Sequence, residues 1–539
     1  MASIDLYSGI GGWTLGLRMS GEEVLNSYEW WDEANRTHNL NHGFNHPEID
    51  IRGLVDKNGV IRPDLLPEPG TIDFVVGSPP CTQFSYANRG GGGDITEGLI
   101  DINSFLRIVE YLRPRCWAME NVPRVSNILK NEVFGVKGSL KTFKGLFNDD
   151  PSNIQVYDAS EFGVPQRRKR MIAGNFNHTL LNSYKKLTTK LTLYDVISSL
   201  RSEKVKDIIY GVVLDKKYVT DNIEEEILSY EEERINRESK QFHPVYNKMS
   251  FPEKTNVPSR TVTALCTRVS RESIILKVEN GYRRLTVRER SCLQSFPITY
   301  QFYGNSYGSK LKMIGNAIPP LLAYHVINAM KGIKKPKPPH DLNYIHTIPK
   351  ELPKIFQPPV NGQHFKKDRR FHSAIPNLRF GSGVRFDIMN YVDFSTKEIR
   401  WEMGFYYGTS KKIKDITLNN DLSKRVIDHL SKNGIDLKDL VKDFQKRLKS
   451  IDFPSIQLNW IHKVNNGIGP FELCDLIGEY SKKILERIDG CDKIIEGFDM
   501  DFLNDESRKI NGIKNYLLSG FILGGIFNHF ANKIFRTCI

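Results

Sequence analysis

The sequence predicts an α/β protein: a parallel sheet covered by helices in its first part, followed by a separate C-terminal α+β domain. Three observations predict it. Short β-rich runs alternate with helical patterns from residue 1 to about 175, the arrangement that gives parallel strands joined by helices. Between residues 331 and 362, Pro336, Pro338, Pro339, Pro349, Pro353, Pro358 and Pro359 exclude regular helix and strand, so this stretch reads as an extended linker. Beyond it the pattern changes to alternating strands and then amphipathic helices.

In chain order, residues 3–7 form a first strand that runs into the glycine-rich Ser8-Gly9-Ile10-Gly11-Gly12 and a helix. Residues 72–76 form another strand, followed by a loop and the helical residues 102–112. The acidic stretch at Glu224, Glu225, Glu226, Glu231, Glu232 and Glu233 reads as a solvated helix face. Past the linker, Val384, Phe386 and Ile388 alternate with polar residues, as do Ile399, Trp401, Met403 and Phe405. The polar gap at Ser395, Thr396 and Lys397 makes the pair a β-hairpin. Leu437, Leu440, Val441, Phe444 and Leu448 follow helical spacing, as do Leu473, Leu476, Ile477, Tyr480 and Ile484.

Composition excludes several classes. The chain has 539 residues, enough for two or three cores, with 40% hydrophobic and 26% charged residues. Its net charge of +13 favours a polyanionic partner, and no single tail accounts for the excess. Cysteines 81, 116, 266, 292, 474, 491 and 538 form no C-x-x-C pair, as expected of a reduced intracellular protein without a metal knuckle. The N-terminus lacks the pattern of a signal peptide, and the longest apolar stretch, residues 516–527, is too short to span a bilayer.

Chemistry concentrates at predicted strand ends. Asp5-Leu6-Tyr7-Ser8-Gly9-Ile10-Gly11-Gly12 lets backbone approach a nucleotide-like ligand, although such turns also occur where nothing binds. Glu29 can accept ribose hydroxyls and Trp30 can cover an adenine, with Asp50-Ile51 at a third strand end suited to the adenine edge. Cys81, in Gly77-Ser78-Pro79-Pro80-Cys81, emerges after a strand, and Glu120-Asn121-Val122 follows the next apolar run, 116–119. Thiol and carboxylate thus open onto one cleft.

These segments, in this order, resemble the bacterial-type cytosine-C5 DNA methyltransferases. The likeness continues through Gln166-Arg167-Arg168-Lys169-Arg170, Arg284-Leu285-Thr286-Val287-Arg288-Glu289 and Gly315-Asn316-Ala317-Ile318-Pro319-Pro320; residues 340–539 match no known pattern. The resemblance implies a Rossmann-like S-adenosylmethionine-dependent methyltransferase domain. It divides the chain into a catalytic first part (1–175), a small target-recognition region (176–260), the end of the catalytic domain (261–332), a linker (333–362) and an accessory domain (363–539).

On this reading S-adenosylmethionine is bound by Asp5, Tyr7, Gly9, Gly11, Glu29, Trp30, Asp50, Ile51 and Asn316. Cytosine C5 is too poor a nucleophile to take the methyl group unaided, so Cys81 as thiolate adds to C6 of a flipped-out base. Glu120 holds ring N3 and the exocyclic amine, Arg170 the O2 carbonyl, and Arg168 a loop or phosphate; both arginines favour the thiolate. Ser85 and Gln166 face the DNA, and the Asn88–Gly93 glycine run is a hinge. Tyr7 stands where the family more often has phenylalanine.

The implied partners are double-stranded DNA and a cognate restriction endonuclease or other defence partner. The expected enzyme is a monomer in a prokaryotic cytoplasm, associated with the nucleoid. Two rivals are tRNA cytosine-5 methylation, disfavoured by the missing Cys-Phe-Thr segment, and a catalytically silent DNA-binding subunit, disfavoured by the intact Cys81 and Glu120. For the accessory domain the readings are extra DNA contact, for example by Lys366, Lys367, Arg369 and Arg370, a docking module, or a fused nuclease, the least favoured.

Overall fold

The computed structural model describes all residues except 56–58, 85–93, 242–248, 343–346, 360–368, 381–383, 394–397, 410–411, 463–467, 501–512, 535–536 and 539. It divides into two compact units, one of residues 1–239 and 250–360, the other of residues 240–249 and 361–539. Ser85, the Asn88–Gly93 glycine run, Lys366, Lys367 and the hairpin gap at Ser395, Thr396 and Lys397 lie outside the described residues.

The first unit is built on β1 (Ala2–Leu6), α1 (Gly12–Met19), β2 (Glu23–Tyr28), α2 (Asp32–His42), β3 (Phe74–Gly77), α3 (Ile95–Leu112), β4 (Cys116–Asn121), α4 (Arg124–Phe134), β5 (Ile154–Asp158) and β6 (Lys169–Gly174). The sheet order is β2-β1-β3-β4-β6-β5. β1 pairs parallel with β2 and β3, and β3 with β4, whereas β6 runs antiparallel to both β4 and β5. The sheet is therefore mixed where the sequence suggests a parallel one. Residues 159–168, with only a short 3-10 turn at Ala159–Phe162, are too few for a helical crossover, and a short connection joins antiparallel neighbours.

Strand alternation sends side chains to two cores. Ile4, Leu6, Val75, Trp117 and Met119 pack with Ile102, Phe105, Leu106 and Val109 of α3, while Phe74, Val76 and Ala118 share the opposite core with Trp13 and Leu17 of α1. Sheet strands buried on both faces read as continuous apolar runs, which is why residues 74–76 and 116–119 show no alternation.

The remaining elements of this unit are α5 (His178–Ser183), α6 (Leu193–Ser199), β7 (Lys204–Lys206), β8 (Val213–Asp215), α7 (Tyr230–Gln241), β9 (Ile275–Val278), β10 (Gly281–Arg284), α8 (Val287–Leu293), α9 (Tyr307–Asn316) and α10 (Pro320–Met330). Leu181, Leu193, Val196, Val205 and Val219 share the core of Leu285, Leu293 and Leu322. The acidic stretch differs from expectation. Glu225 and Glu232 are buried: Glu225 takes both Nε and Nη2 of Arg284, and Glu232 takes Nε and Nη2 of Arg268. Burying these carboxylates is tolerable only because each meets a guanidinium fork.

Within the linker, Pro339–Asp341 forms a 3-10 turn and no described residue from 342 to 359 is in helix or strand. It lies on the first unit: Tyr303 donates to the Glu351 carbonyl and Lys310 to the Lys354 carbonyl.

The second unit contains an antiparallel sheet of β11 (His372–Phe380), β12 (Val384–Asp393), β13 (Glu398–Thr409) and β14 (Lys412–Thr417) in that order, then α11 (Asn420–Lys432), α12 (Lys438–Lys449), α13 (Phe453–His462), α14 (Pro470–Ile488), α15 (Asp492–Glu496) and α16 (Lys514–Ile534); β15 (Thr537–Cys538) pairs with β13. The hairpin is present, with Phe386 opposite Phe405 and Ile388 opposite Met403. The apolar stretch at 516–527 is the middle of α16. A Cβ on Gly520 would stand 2.2 Å from the Phe386 ring and one on Gly524 2.2 Å from Leu418 Cδ1, so glycine permits the close approach. Among the described residues no helix is long and apolar enough to cross a membrane.

Candidate active site

Leu6, Tyr28, Gly77 and Met119 stand in register across the four parallel strands, so the residues that follow them leave the sheet along one edge. Ligand sites of open α/β sheets form at that carboxyl edge. A cavity of about 290 Å³ opens there, lined among others by Tyr7, Gly9, Glu29, Trp30, Cys81, Glu120, Arg168, Arg170 and Asn316. A second cavity, about 330 Å³, is lined by Asp50, Arg52, Glu97 and Asp101 and shares Tyr7, Trp30, Pro80 and Thr82 with the first.

The first loop supplies a cradle. Gly9 has φ +53°, and a Cβ there would meet no heavy atom within 4 Å, so its backbone faces open space. Gly9 N–H donates to Glu29 Oε2 at 2.9 Å and Trp31 N–H to Oε1 at 2.8 Å. Each carboxylate oxygen keeps a further lone pair for a hydroxyl donor. Burial pushes the Glu29 carboxyl above its usual range, partly offset by these two N–H donors. Trp30 is 62% exposed, a free indole face at the cavity wall. A cradle of backbone, a carboxylate with spare lone pairs, an open indole and a nearby Asp50 fit a nucleoside-bearing methyl donor.

The Cys81 loop is fixed from β4. Asn121 is buried and its Nδ2 donates to the Pro79 carbonyl at 3.1 Å, while Phe84 N–H donates to the Cys81 carbonyl at 3.0 Å. Burial raises the Cys81 thiol above its ordinary value; Arg170 and, more weakly, Arg168 oppose this and Glu120 adds to it. The arginines favour the thiolate as expected, but burial outweighs them. Glu120 is buried and paired with Arg170, whose Nε stands 2.8 Å from Oε1.

Arg168 contacts a loop, one of the two partners expected of it. It is buried, and its guanidinium donates to the carbonyls of Val262 at 2.9 Å, Gly315 at 2.7 Å and Ala317 at 3.0 Å. Burial, reinforced by the neighbouring Arg170, holds its pKa well below the usual arginine range. It braces the loop that carries Asn316.

Several expected residues stand elsewhere. Gln166, expected at the DNA, is fully buried, with its Oε1 accepting from Val262 N–H and its Nε2 donating to the Leu293 carbonyl. Asp5 does not line the cavity: it is buried beneath the glycine loop and accepts from the backbone and hydroxyl of Thr14, and burial raises its pKa to about 7. Ile51 is buried in the core rather than in either cavity. Gly11 is a turn residue at φ +88°, packed against His38 and His42. Residues not anticipated include Ser78, which accepts from Trp13 Nε1 at 3.0 Å, and Lys312, one helical turn before Asn316 and 4.5 Å above the Trp31 ring. The spacing of 312 and 316 on one helix face was the available signal. Among the described residues no cluster of His, Cys, Asp and Glu could hold a metal ion.

The family described as C-5 cytosine-specific DNA methylase matches residues 1–332. The Type II methyltransferase M.NgoPII of Neisseria gonorrhoeae is 30% identical over 355 residues, covering 61% of this chain and 95% of the relative. M.FnuDI of Fusobacterium nucleatum is 25% identical, covering 61% and 94%, and M.HindV of Haemophilus influenzae is 29% identical, covering 62% and 98%. The accessory unit falls outside the family match.

Proposed function

The chain belongs to the C-5 cytosine-specific DNA methylase family, whose members are S-adenosylmethionine-dependent DNA methyltransferases, and from that premise we propose that it is a sequence-specific Type II modification enzyme acting through a covalent Cys81 adduct. The observation that carries the reading is that Cys81 and the Glu120–Arg170 pair line the same cavity as Gly9, Glu29 and Trp30. A nucleophile and a methyl-donor cradle thus share one chamber.

The donor supplies a methyl group on a sulfonium centre. The base is rotated out of the duplex, because its C6 and C5 are otherwise stacked. The Cys81 thiolate adds to C6, making C5 enamine-like; C5 takes the methyl group, the C5 proton leaves to a base, and the sulfur–C6 bond breaks to restore the ring. Glu120 holds N3 and the exocyclic amine, the pattern that distinguishes cytosine from thymine, and Arg170 orients Glu120 while reaching O2. Glu29 receives the ribose hydroxyls, Trp30 covers the adenine and Asp50 meets its edge. Arg168 and Asp5 are positioning residues behind this surface.

The same proposal assigns target recognition to residues 176–260, catalysis to the flanking segments, and an accessory role to residues 363–539. The names of the Type II relatives support a Type II modification role; a restriction-modification or related defence setting, a cognate endonuclease partner and a monomer on DNA are further parts of the proposal. The test is transfer of labelled methyl to unmethylated duplex DNA and, in parallel, to tRNA, by wild type and Cys81→Ala. Label on DNA cytosine that disappears in the variant supports the reading; label on tRNA alone overturns it. Duplexes with 5-fluorocytosine, which cannot release the C5 substituent, should trap wild type but not Cys81→Ala as a covalent complex.

A further inference from the structure

The wall between the two cavities is tied to one helix. Tyr7, in a left-handed backbone conformation at φ +54°, sends its hydroxyl to the first turns of α3, where Asp101 accepts through its carbonyl at 3.2 Å and Oδ1 at 3.3 Å. Asp101 is buried and also receives Arg52 in a two-pronged pair, Nε to Oδ1 and Nη2 to Oδ2, both at 2.8 Å. The third prong, Nη1, reaches Glu97 Oε1 at 2.6 Å. Arg52 itself is placed by Asp50, whose Oδ1 accepts from its backbone N–H at 3.0 Å.

The same stretch of α3 seats the nucleophile turn. A Cβ on Gly98 would stand 2.5 Å from the Phe84 ring, so that ring fits a notch that only glycine leaves. Phe84 is fully buried and its N–H closes the turn on the Cys81 carbonyl. Asp101 follows Glu97 by four positions and Gly98 by three on α3, so each is its neighbour on the helix surface, and a shift of these turns moves the cavity wall and the Cys81 turn together.

We propose that Asp101 is a positioning residue that couples the cofactor cavity to the nucleophile: through Tyr7 and Arg52 it fixes the cavity wall, and through the helical turn it shares with Gly98 it fixes the seat of Cys81. The Tyr7 hydroxyl is then more than a variant of a ring that only stacks. It is the link that a phenylalanine at this position cannot make. The inference rests on the reading of these cavities as the methyl-donor site.

The experiment is a double-mutant cycle on the full chain with Tyr7→Phe and Asp101→Asn. It reads calorimetric binding of S-adenosylhomocysteine and, separately, the rate of Cys81 alkylation by iodoacetamide. Each single variant should weaken binding roughly fivefold to tenfold, the size of one ordinary hydrogen bond. The double variant should be no weaker than the weaker single one. Asp101→Asn should also raise the alkylation rate several-fold, which a residue confined to the cofactor wall would not do. Multiplicative losses, wild-type binding in both variants, or an unchanged alkylation rate overturn the coupling. Wild type that binds no S-adenosylhomocysteine overturns the reading of the cavities themselves.

Discussion

Replacing Arg168 with methionine separates bracing from chemistry. The side chain is buried and donates to three backbone carbonyls, those of Val262, Gly315 and Ala317. A hydrogen bond from a charged donor contributes about 1.5–3 kcal/mol. Against the three stands the desolvation of a guanidinium whose pKa burial already depresses, a cost of several kcal/mol. The net loss on truncation is then roughly 3–5 kcal/mol, since three buried carbonyls are left unpaired. For a unit of this size that lowers the thermal midpoint by about 5 °C. Because Gly315 and Ala317 flank Asn316 at the cavity, S-adenosylhomocysteine binding should weaken in parallel, and Arg168→Lys, able to reach one carbonyl, should fall between. Thermal unfolding and calorimetric titration read both quantities. A methionine variant with wild-type midpoint and wild-type binding that nevertheless loses methyl transfer would refute this reasoning and return Arg168 to the chemistry.

Other consequences can be tested on the same protein. Burial raises the Cys81 thiol while Arg170 opposes it, so Cys81 alkylation should rise with pH beyond the range of an ordinary cysteine, and Arg170→Met should shift the profile further upward; a profile centred below pH 8.5 in wild type contradicts this. Trp30 is 62% exposed, so Trp30→Ala should leave stability within about 0.5 kcal/mol yet weaken S-adenosylhomocysteine binding roughly tenfold through lost stacking; equal binding would remove the indole from the site. His325 is buried among Phe162, Tyr184 and Tyr324, and burial lowers its pKa from 6.5 to about 4. The unfolded chain takes a proton that the fold refuses, so the stability is present above pH 6.5 and is lost as pH falls toward 4, by about 3 kcal/mol. His325→Phe should flatten that part of the urea-midpoint profile, and an unchanged slope would assign the acid sensitivity to other groups, such as His178 and His38, which burial also depresses.

Residues were legible in the sequence where the chemistry is local. Gly9, Glu29 and Cys81 each follow a strand by one to four positions and Glu120 lies near the end of one, and parallel strands in register bring all such positions to one edge. What failed was long-range pairing. Gln166 reads as polar and solvent-seeking until Val262 and Leu293 supply its partners, and the acids at 225 and 232 read as solvated until Arg284 and Arg268 arrive. A signal existed in the matching density of Arg268, Arg271, Arg283, Arg284, Arg288 and Arg290, but nothing local says which arginine meets which acid. Asp5 and Ile51 failed for a different reason. Both belong to segments that reach the site, yet neighbouring side chains diverge at a strand end: Asp5 and Ile51 are buried while Tyr7 and Asp50 line the cavities.

The long-range contact that matters most joins the two ends of the first unit. α1 and α10 meet through glycine: a Cβ on Gly12 would stand 2.3 Å from the Ile318 carbonyl and one on Gly16 2.7 Å from Ala323 Cβ. That approach delivers Asn316 and Ile318 to the cavity opposite Gly9 and Trp30. The cavity is therefore closed by segments some 300 positions apart in sequence, with Arg168 bolting the second of them. Everything between is tethered at both ends to the same chamber.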